Sequence, residues 1–407
     1  MDGNDGLYGE TRARSHESTE ADHAAVPFPD HRSGRIRELD AVRGVALLGI
    51  LLVNIFVFNV PHAYFGEFYG GFSGVERLVV EGVAGFCGGK FLFVFSFLFG
   101  YGIVLFERGR QGSFARAFLR RMIVLGAIGC VHLVTLWFGD ILHVYAFAGL
   151  VVIPIVRLRI RTLTVAAVAC FLVPASYYVG WAALGWPEPS VRPTVPLSVA
   201  LESLANANVI DRIALRITAY GAFLPENAVW YVPKALGTIL LGVVAGRVEL
   251  VCKLRSPWRT VAVRSSWMLL AATSVWIFAR PSLFAMFDLE AQPGWRPFLI
   301  LVNSVFDVAM GAAYVLLLLL ASHRFQRFGR PFERAGRLAL TNYVLQSVLA
   351  TVVFSSLGLG LQGLKSPSAL VLIALTIFGV NLGFSALWLR RRRVGPLERV
   401  WRWASRT

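Results

Sequence analysis

The sequence predicts an all-α fold, a polytopic transmembrane helical bundle of about ten spans with both termini in the cytoplasm. Three observations support this prediction. Of the 407 residues, 56% are hydrophobic and only 16% are charged. Apolar runs of about 20 residues recur along the chain, and this length crosses a hydrocarbon core about 30 Å thick. The basic residues are concentrated in alternate loops, as the positive-inside rule describes.

The chain divides into three parts. Residues 1–35 are polar, mixed in charge and without apolar periodicity, so we expect a disordered cytoplasmic tail. Residues 36–389 form the transmembrane bundle, and 390–407 form a basic cytoplasmic interfacial tail that contains "GPLERVWRW". The first apolar run begins too far from the start for a typical signal peptide, so we expect it to remain as a helix. The ten predicted spans are 41–60, 83–106, 122–138, 141–156, 162–183, 228–246, 264–280, 297–321, 337–357 and 369–389.

The net charge is +16, and the basic residues that produce it are distributed unevenly between the loops on the two sides of the membrane. Lys and Arg number 25 in the segments 107–121, 157–161, 247–264, 323–337 and from 390 onward. They number seven in the opposite loops, 61–82, 184–227, 280–296 and 358–368. This asymmetry predicts a multi-pass protein of the cell membrane with both termini inside. It accounts for the basic excess, so we expect membrane lipid and no nucleic acid as a partner.

Two further features concern the loops and the cysteines. The predicted extracytoplasmic loop 184–227 opens with "WPEPSVRPTVP", whose prolines exclude a regular helix. It continues with an amphipathic pattern, "LSVALESLANANVIDRIALRI", which either lies on the membrane face or covers a site. The four cysteines form no CxxC pair, so we expect neither a disulfide framework nor a metal site.

Ionisable residues inside spans are costly, and each therefore requires an explanation. Asp40 and Arg43 share a helix face at the start of span one. Arg43 either binds the phosphates of a cytoplasmic donor or pairs with Asp40 and anchors the helix. Asn54 lies about three turns deeper and either binds a ligand or bonds another helix. Lys90, in or near the outer half of span two, either serves the site or extends toward the interface.

The segment from span three to span four carries a histidine and an acid. His132 and Asp140 are eight residues apart and share a face if the helix continues. A carboxylate that orients an imidazole is the usual way to build a general base. The alternatives are a structural histidine and a capping role for Asp140 at the start of span four. His62, at the outer end of span one, is a further candidate for this site, whereas His143 either joins it or faces lipid.

Five motifs, in this order along the chain, resemble those of the YeiB-like family of bacterial membrane proteins. The motifs are "LDAVRGVALLGILLVNI", "KFLFVFSFLFGYG", a histidine followed by "GDILHVYA", "GRLALTNYVLQS" and "GPLERVW", and the match runs from about residue 36 to 403. This family is similar to the transmembrane acyltransferases, which include heparan-α-glucosaminide N-acetyltransferase and the acyltransferase-3 sugar O-acylating enzymes. The shared element is the opening "LD..RG" with an asparagine near Asn54.

The resemblance implies an enzyme of about ten helices. It would transfer an acyl group from cytoplasmic acyl-CoA to a hydroxyl or amine, often on a sugar, at or beyond the membrane. The residues at matching motif positions are Asp40, Arg43, Asn54, Lys90, His132, Asp140 and Tyr145. His62 belongs to no YeiB-like motif, although the acetyltransferase relatives place a histidine soon after this asparagine.

Our leading hypothesis is therefore transfer of an acyl group, with acetyl as the first expectation, to a small molecule or glycan. In it His132, oriented by Asp140, removes the acceptor proton or carries the acyl group, and His62 is the reserve candidate. Arg43 with Asp40 binds acyl-CoA, and the substrate-binding residues are Asn54, Lys90 and Tyr145. A small-molecule transporter without acyl transfer is the second hypothesis. A noncatalytic assembly or sensor protein is the third.

Overall fold

The computed structural model describes residues 36–109, 112–188, 193, 195–254, 258–286, 293–324 and 326–403, and the predicted tail 1–35 lies outside them. Every regular element in this part of the chain is helical. The first helices are α1 (Arg37–Asn59), α2 (Phe65–Gly70), α3 (Gly74–Phe86), α4 (Lys90–Arg108), α5 (Phe114–Thr135), α6 (Leu142–Ile155), α7 (Ile160–Leu184), α8 (Leu197–Asn206) and α9 (Val209–Glu226). The others are α10 (Val232–Arg247), α11 (Leu250–Lys253), α12 (Arg259–Met286), α13 (Arg296–Arg324), α14 (Gln326–Arg337), α15 (Ala339–Phe354), α16 (Pro367–Arg391) and α17 (Pro396–Trp403).

This architecture confirms the predicted all-α membrane fold. Among the described residues, eight helical segments are long and apolar enough to cross a membrane. A ninth span follows if the segment Gly329–Arg337 and helix α15, which meet at 90°, are counted as one broken crossing. The predicted span 141–156 is the shorter apolar helix α6. The count of ten and the cytoplasmic position of both termini stay predictions.

Two boundaries differ from the sequence prediction. Span two begins earlier, because α3 and α4 together form an apolar segment, Gly74–Arg108, with a break at 87–89. Span six also begins earlier, because α9 continues through a π-helical turn, Asn227–Tyr231, into α10. The turn follows Pro225, whose missing N–H removes one bond from the helical ladder. Much of the predicted loop 184–227 is therefore helix, as α8 and α9.

The packing of α4 against α10 depends on two glycines. A side chain on Gly100 would overlap the backbone oxygen of Ile239, and one on Gly242 would overlap that of Phe97. Lipid tails are as apolar as the side chains of a membrane helix, so the hydrophobic effect contributes little to helix association. Close backbone packing at small residues is therefore a principal source of it. This close pair forms one wall of the region in which the polar residues gather.

The carboxyl-terminal helix α17 supports the bend before α15. The buried Glu398 carboxylate accepts hydrogen bonds from the backbone N–H of Thr341 at 3.0 Å and from its hydroxyl at 2.6 Å. It thereby satisfies donors in the first turn of α15. The Trp401 indole donates to the Arg121 carbonyl at 2.9 Å and lies against the Arg121 guanidinium. The motifs "GRLALTNYVLQS" and "GPLERVW" thus meet in space and share a structural role.

Candidate functional site

A cavity of about 290 Å³, here called cavity A, lies among α1, α3, α9, α15 and the segment 136–141. Its volume is near the lower end of the range for ligand pockets. The walls are mostly apolar and aromatic. The polar residues that line it are Asn54, His62, Asp140, Asn227, Tyr231 and Tyr343. Cavity A is therefore where several predicted site residues converge.

His62 reaches cavity A because α1 ends just before it. Val60 precedes Pro61, which disfavours helical backbone, and Val60 is accordingly extended. His62 then opens a short 3₁₀ turn. Its Nε2 lies 3.3 Å from the Oε1 of Glu226, and its side chain is 38% exposed. A carboxylate thus fixes one ring nitrogen of a histidine that stays accessible from the cavity, which is the arrangement of an oriented general base.

Asn54 lines the same cavity, and its side-chain amide has no hydrogen-bond partner among the described residues. The alternative that it bonds a neighbouring helix therefore has no support. An unpaired amide that faces a cavity can donate to a ligand oxygen.

Asp140 joins two histidines. Its Oδ1 lies 2.8 Å from the Nδ1 of His132, an ion-pair distance, although the ring N–H is tilted away from the oxygen. Its Oδ2 accepts from the backbone N–H of His143 at 3.0 Å and lies 2.9 Å from that residue's Nδ1. This backbone contact satisfies a donor in the first turn of α6, although the N-cap position itself is held by Ile141 and not by Asp140. The Nε2 of His143 lies 2.9 Å from the hydroxyl of Tyr220, so His143 belongs to this cluster and is not a lipid-facing residue.

Of the two histidines of this cluster, His132 is enclosed, whereas the side chain of His143 is 18% exposed. The His132 side chain is 1% exposed, its Nε2 is buried without a hydrogen-bond partner, and it does not line cavity A. The predicted pair with Asp140 does form, but through the segment after α5 ends at Thr135, not through one continuous helix. Burial raises the pKa of Asp140, but the contacts with His132 and His143 outweigh it and hold that pKa below its ordinary value.

Lys90 and Tyr145 lie near a second cavity, cavity B, of about 300 Å³. The Lys90 ammonium is 6% exposed and lies 3.0 Å from the Asp307 carboxylate, so it does not extend toward the interface. Asp307 lines cavity B. The buried Tyr145 hydroxyl bonds the hydroxyl of Ser96 at 2.8 Å, and Ser96 lines cavity B. Both predicted residues therefore support the wall of cavity B without lining it.

Asp40 and Arg43 form a separate pair. The Arg43 guanidinium donates to Asp40 at 3.0 Å and reaches the Leu98 carbonyl at 3.4 Å. Leu98 lies near the middle of α4, so this guanidinium reaches well inside the bundle while staying 27% exposed. Along α1, Arg43 precedes Asn54 by eleven residues, about 16 Å. The pair therefore does not join cavity A directly.

Several residues of the site were missed by sequence reasoning. Glu226 and Tyr231 were missed because the boundary between the predicted loop and span six, at residue 227, falls between them. Lys234 and Asp307 lie inside predicted spans but were not recognised as candidates. A signal existed in both places. "LPENAVWYVPK" has an acid beside a proline at the start of an apolar run, and Asp307 is an acid inside an apolar run. Ionisable residues within spans are functional candidates by default.

The fold and the cavities define a multi-pass helical membrane protein with ionisable side chains gathered inside its bundle. Residues 35–191 match the family described as heparan-alpha-glucosaminide N-acetyltransferase, catalytic, and residues 252–407 match the family described as protein of unknown function (DUF418). The uncharacterized protein YxaH of Bacillus subtilis is 28% identical, over 93% of this chain and 96% of that protein. The uncharacterized protein YeiB of Escherichia coli is 29% identical, over 89% of this chain and 94% of that protein.

These matches support a YeiB-like family of membrane proteins related to the heparan-α-glucosaminide N-acetyltransferase type. This confirms the predicted resemblance. The matched catalytic region includes Asn54, His62 and Asp140, the residues that meet at cavity A. The match indicates a membrane acetyltransferase-like family.

Proposed function

We propose that the protein is an acyltransferase that moves an acyl group, acetyl in the first instance, from acyl-CoA to a hydroxyl or amine of a small molecule or glycan. The observation that carries the proposal is the His62–Glu226 pair. It stands beside the unpaired amide of Asn54 in a cavity, within the region that matches an acetyltransferase catalytic domain. A base, its orienting acid and an oxyanion donor are the parts that acyl transfer requires.

The proposed reaction uses these parts in order. His62 takes the proton of the acceptor O–H or N–H as the acceptor atom attacks the thioester carbonyl carbon. The amide of Asn54 donates to the oxygen of the tetrahedral intermediate, where negative charge develops. The carbon–sulfur bond then breaks, and the CoA thiolate leaves with the proton that His62 received. Glu226 holds the ring in position and stabilises the imidazolium.

The donor's phosphates are assigned to Arg43. Its planar fork of N–H groups suits phosphate, and Asp40 fixes its orientation. The separation of Arg43 from Asn54 along α1 suits a donor whose charged end and reacting end are far apart. Asp140 and His132 are assigned a positioning role, because the Asp140 cluster supports the floor of cavity A. The alternative, in which His132 itself is the base, is tested beside His62.

The test is acyl transfer by purified full-length protein in detergent, with radiolabelled acetyl-CoA and a cell extract as the source of acceptors. Wild type is compared with His62→Ala, His132→Ala and the control Arg77→Gln, whose exposed side chain pairs with Glu81. We expect label on an acceptor with wild type and control, and none with His62→Ala. Normal transfer by His62→Ala and none by folded His132→Ala would move the base to His132. No label with any folded protein would favour transport, to be measured as flux into liposomes.

A further inference from the structure

Cavity B adjoins cavity A and is built differently. The two cavities share a wall of Gly88, Gly89, Leu92 and Tyr231. Ionisable and hydroxyl side chains from several helices line cavity B: Ser96, Glu226, Lys234, Thr238, Ser304 and Asp307. Glu226 therefore faces cavity B while its carboxylate contacts His62 in cavity A. A ligand in cavity B would lie next to the proposed base.

Two ammonium groups converge on one carboxylate beside cavity B. Lys90 and Lys234 both pair with Asp307, at 3.0 Å and 3.5 Å. No other carboxylate lies within ion-pair distance of either ammonium in the described residues, although the carboxylate of Glu226 lines the same cavity. Along α4, Lys90 lies about 27 Å from Arg108, within the thickness of a hydrocarbon core. Two ammonium groups that share one carboxylate keep N–H donors available for an anionic oxygen of a ligand.

A buried hydroxyl on the same wall lacks a partner. Ser304 lines cavity B and is 2% exposed, and no hydrogen bond to its buried Oγ exists among the described residues. Ser304 precedes Asp307 by about one helical turn, so both face the same region. A buried polar atom without a hydrogen-bond partner is destabilising. A ligand oxygen would satisfy it.

Aromatic side chains complete the cavity. Trp230, Tyr231 and Phe171 line it, and the Lys234 ammonium lies 5.0 Å from the centre of the Trp230 ring. These rings provide apolar surface for the carbon skeleton of a small ligand. Lys234 and Ser304 provide a cation and a hydroxyl donor for an acidic group.

We infer that cavity B binds the acceptor and selects one that carries a carboxylate: a small hydroxy acid or amino acid, including sugar acids. Its carboxylate would contact Lys234 and Ser304, and its hydroxyl or amine would point toward Glu226 and His62. The identity of the ligand as the acceptor rests on the proposed function. The preference for an acid rests on cavity B alone.

The test measures binding without acyl-CoA, through the tryptophan fluorescence of the full-length protein in detergent. The probes are D-glucuronate against D-glucose and D-lactate against propane-1,2-diol, each acid with a neutral counterpart. We expect a saturable change with at least one acid, little with its counterpart, and loss of the change in Trp230→Phe. Because a charged hydrogen bond is removed, Lys234→Gln should raise Kd by about tenfold or more.

Matched variants separate the charge from folding. Lys234→Arg should retain most of the affinity, Ser304→Ala should lose part of it, and Lys365→Gln, in an exposed loop, should behave as wild type. Each variant is first checked for a single species by size exclusion. Equal binding of acids and neutral counterparts, no saturable change with either acid, or unchanged affinity in Lys234→Gln would overturn the inference. Acid-selective binding without acyl transfer to any acceptor would instead overturn the proposed function alone.

Discussion

Glu226 connects the two cavities through one carboxylate. It contacts His62 in cavity A and lines cavity B, and it lies directly before the π-helical turn Asn227–Tyr231. Such turns are frequent at functional sites, since they redirect side chains without ending the helix. Here the turn brings Asn227 and Tyr231 to cavity A and Trp230 to cavity B.

Replacing Glu226 by Gln removes the charge and nearly preserves the shape. We expect kcat/KM for acyl transfer to fall at least about tenfold, because the ring of His62 loses the carboxylate that orients it and stabilises its protonated form. A purely structural role would instead lower the amount of folded protein and leave kcat/KM of the folded fraction unchanged.

Asp140 is the most enclosed acid of the candidate site, with contacts to His132, His143 and the start of α6. Asp140→Asn keeps one acceptor but removes the charge that both imidazoles face. We expect the free energy of unfolding to fall by about 1–3 kcal/mol, as for a buried hydrogen-bonded group that loses its partner. Thermal unfolding in detergent measures this, with the exposed Glu202→Gln as control. An unchanged melting temperature in Asp140→Asn would show that the cluster contributes little to stability.

At the scale of elements, contacts between helices decide where the polar residues meet. Helix α9 lies over the site: Phe223 lines cavity A, and Tyr220 contacts His143. Of the two roles considered for this amphipathic segment, the covering one fits these contacts. Helices α4 and α10 bring Ser96 and Lys234 to cavity B, which depends on their close approach at Gly100 and Gly242.

A methyl group at Gly100 tests that approach. Gly100→Ala should force α4 away from α10, because the new atom would overlap the Ile239 carbonyl. We expect a lower melting temperature and weakened ligand binding in cavity B. Gly82→Ala is the matched control, since nothing in the described structure lies within 4 Å of the added atom there. Its helix should be slightly stabilised. Equal behaviour of the two variants would contradict the packing argument.

At the scale of the whole molecule, the distribution of charge predicts orientation. The segments rich in Lys and Arg include the ion pairs Arg108–Glu249 and Arg157–Glu107, which join neighbouring helix ends at one face. The opposite face carries the loop around Lys365, which Asn59 holds through the Leu364 backbone. The positive-inside rule assigns the first face to the cytoplasm.

Reporter fusions test this orientation. A fluorescent protein fused after residue 407 should fluoresce, because it folds in the cytoplasm. Alkaline phosphatase is active only outside the cytoplasm, so its fusion after residue 365 should be active. Exchange of the two reporters provides the control. Active phosphatase at the carboxyl terminus would contradict the assignment.

The hydrophobic pattern of the sequence determined the helical membrane fold and most of its spans, because lipid leaves the backbone few alternatives to a helix. It also identified Asn54, His62 and Asp140 as candidates, because polar residues in apolar runs stand out. Spacing along the chain ranked His132 above His62. Only the tertiary structure decided that His132 is enclosed, that His62 faces a cavity, and that its partner is Glu226, 164 residues away. Local sequence periodicity specifies which face of a helix is apolar, whereas contacts between distant helices depend on packing that no single segment encodes.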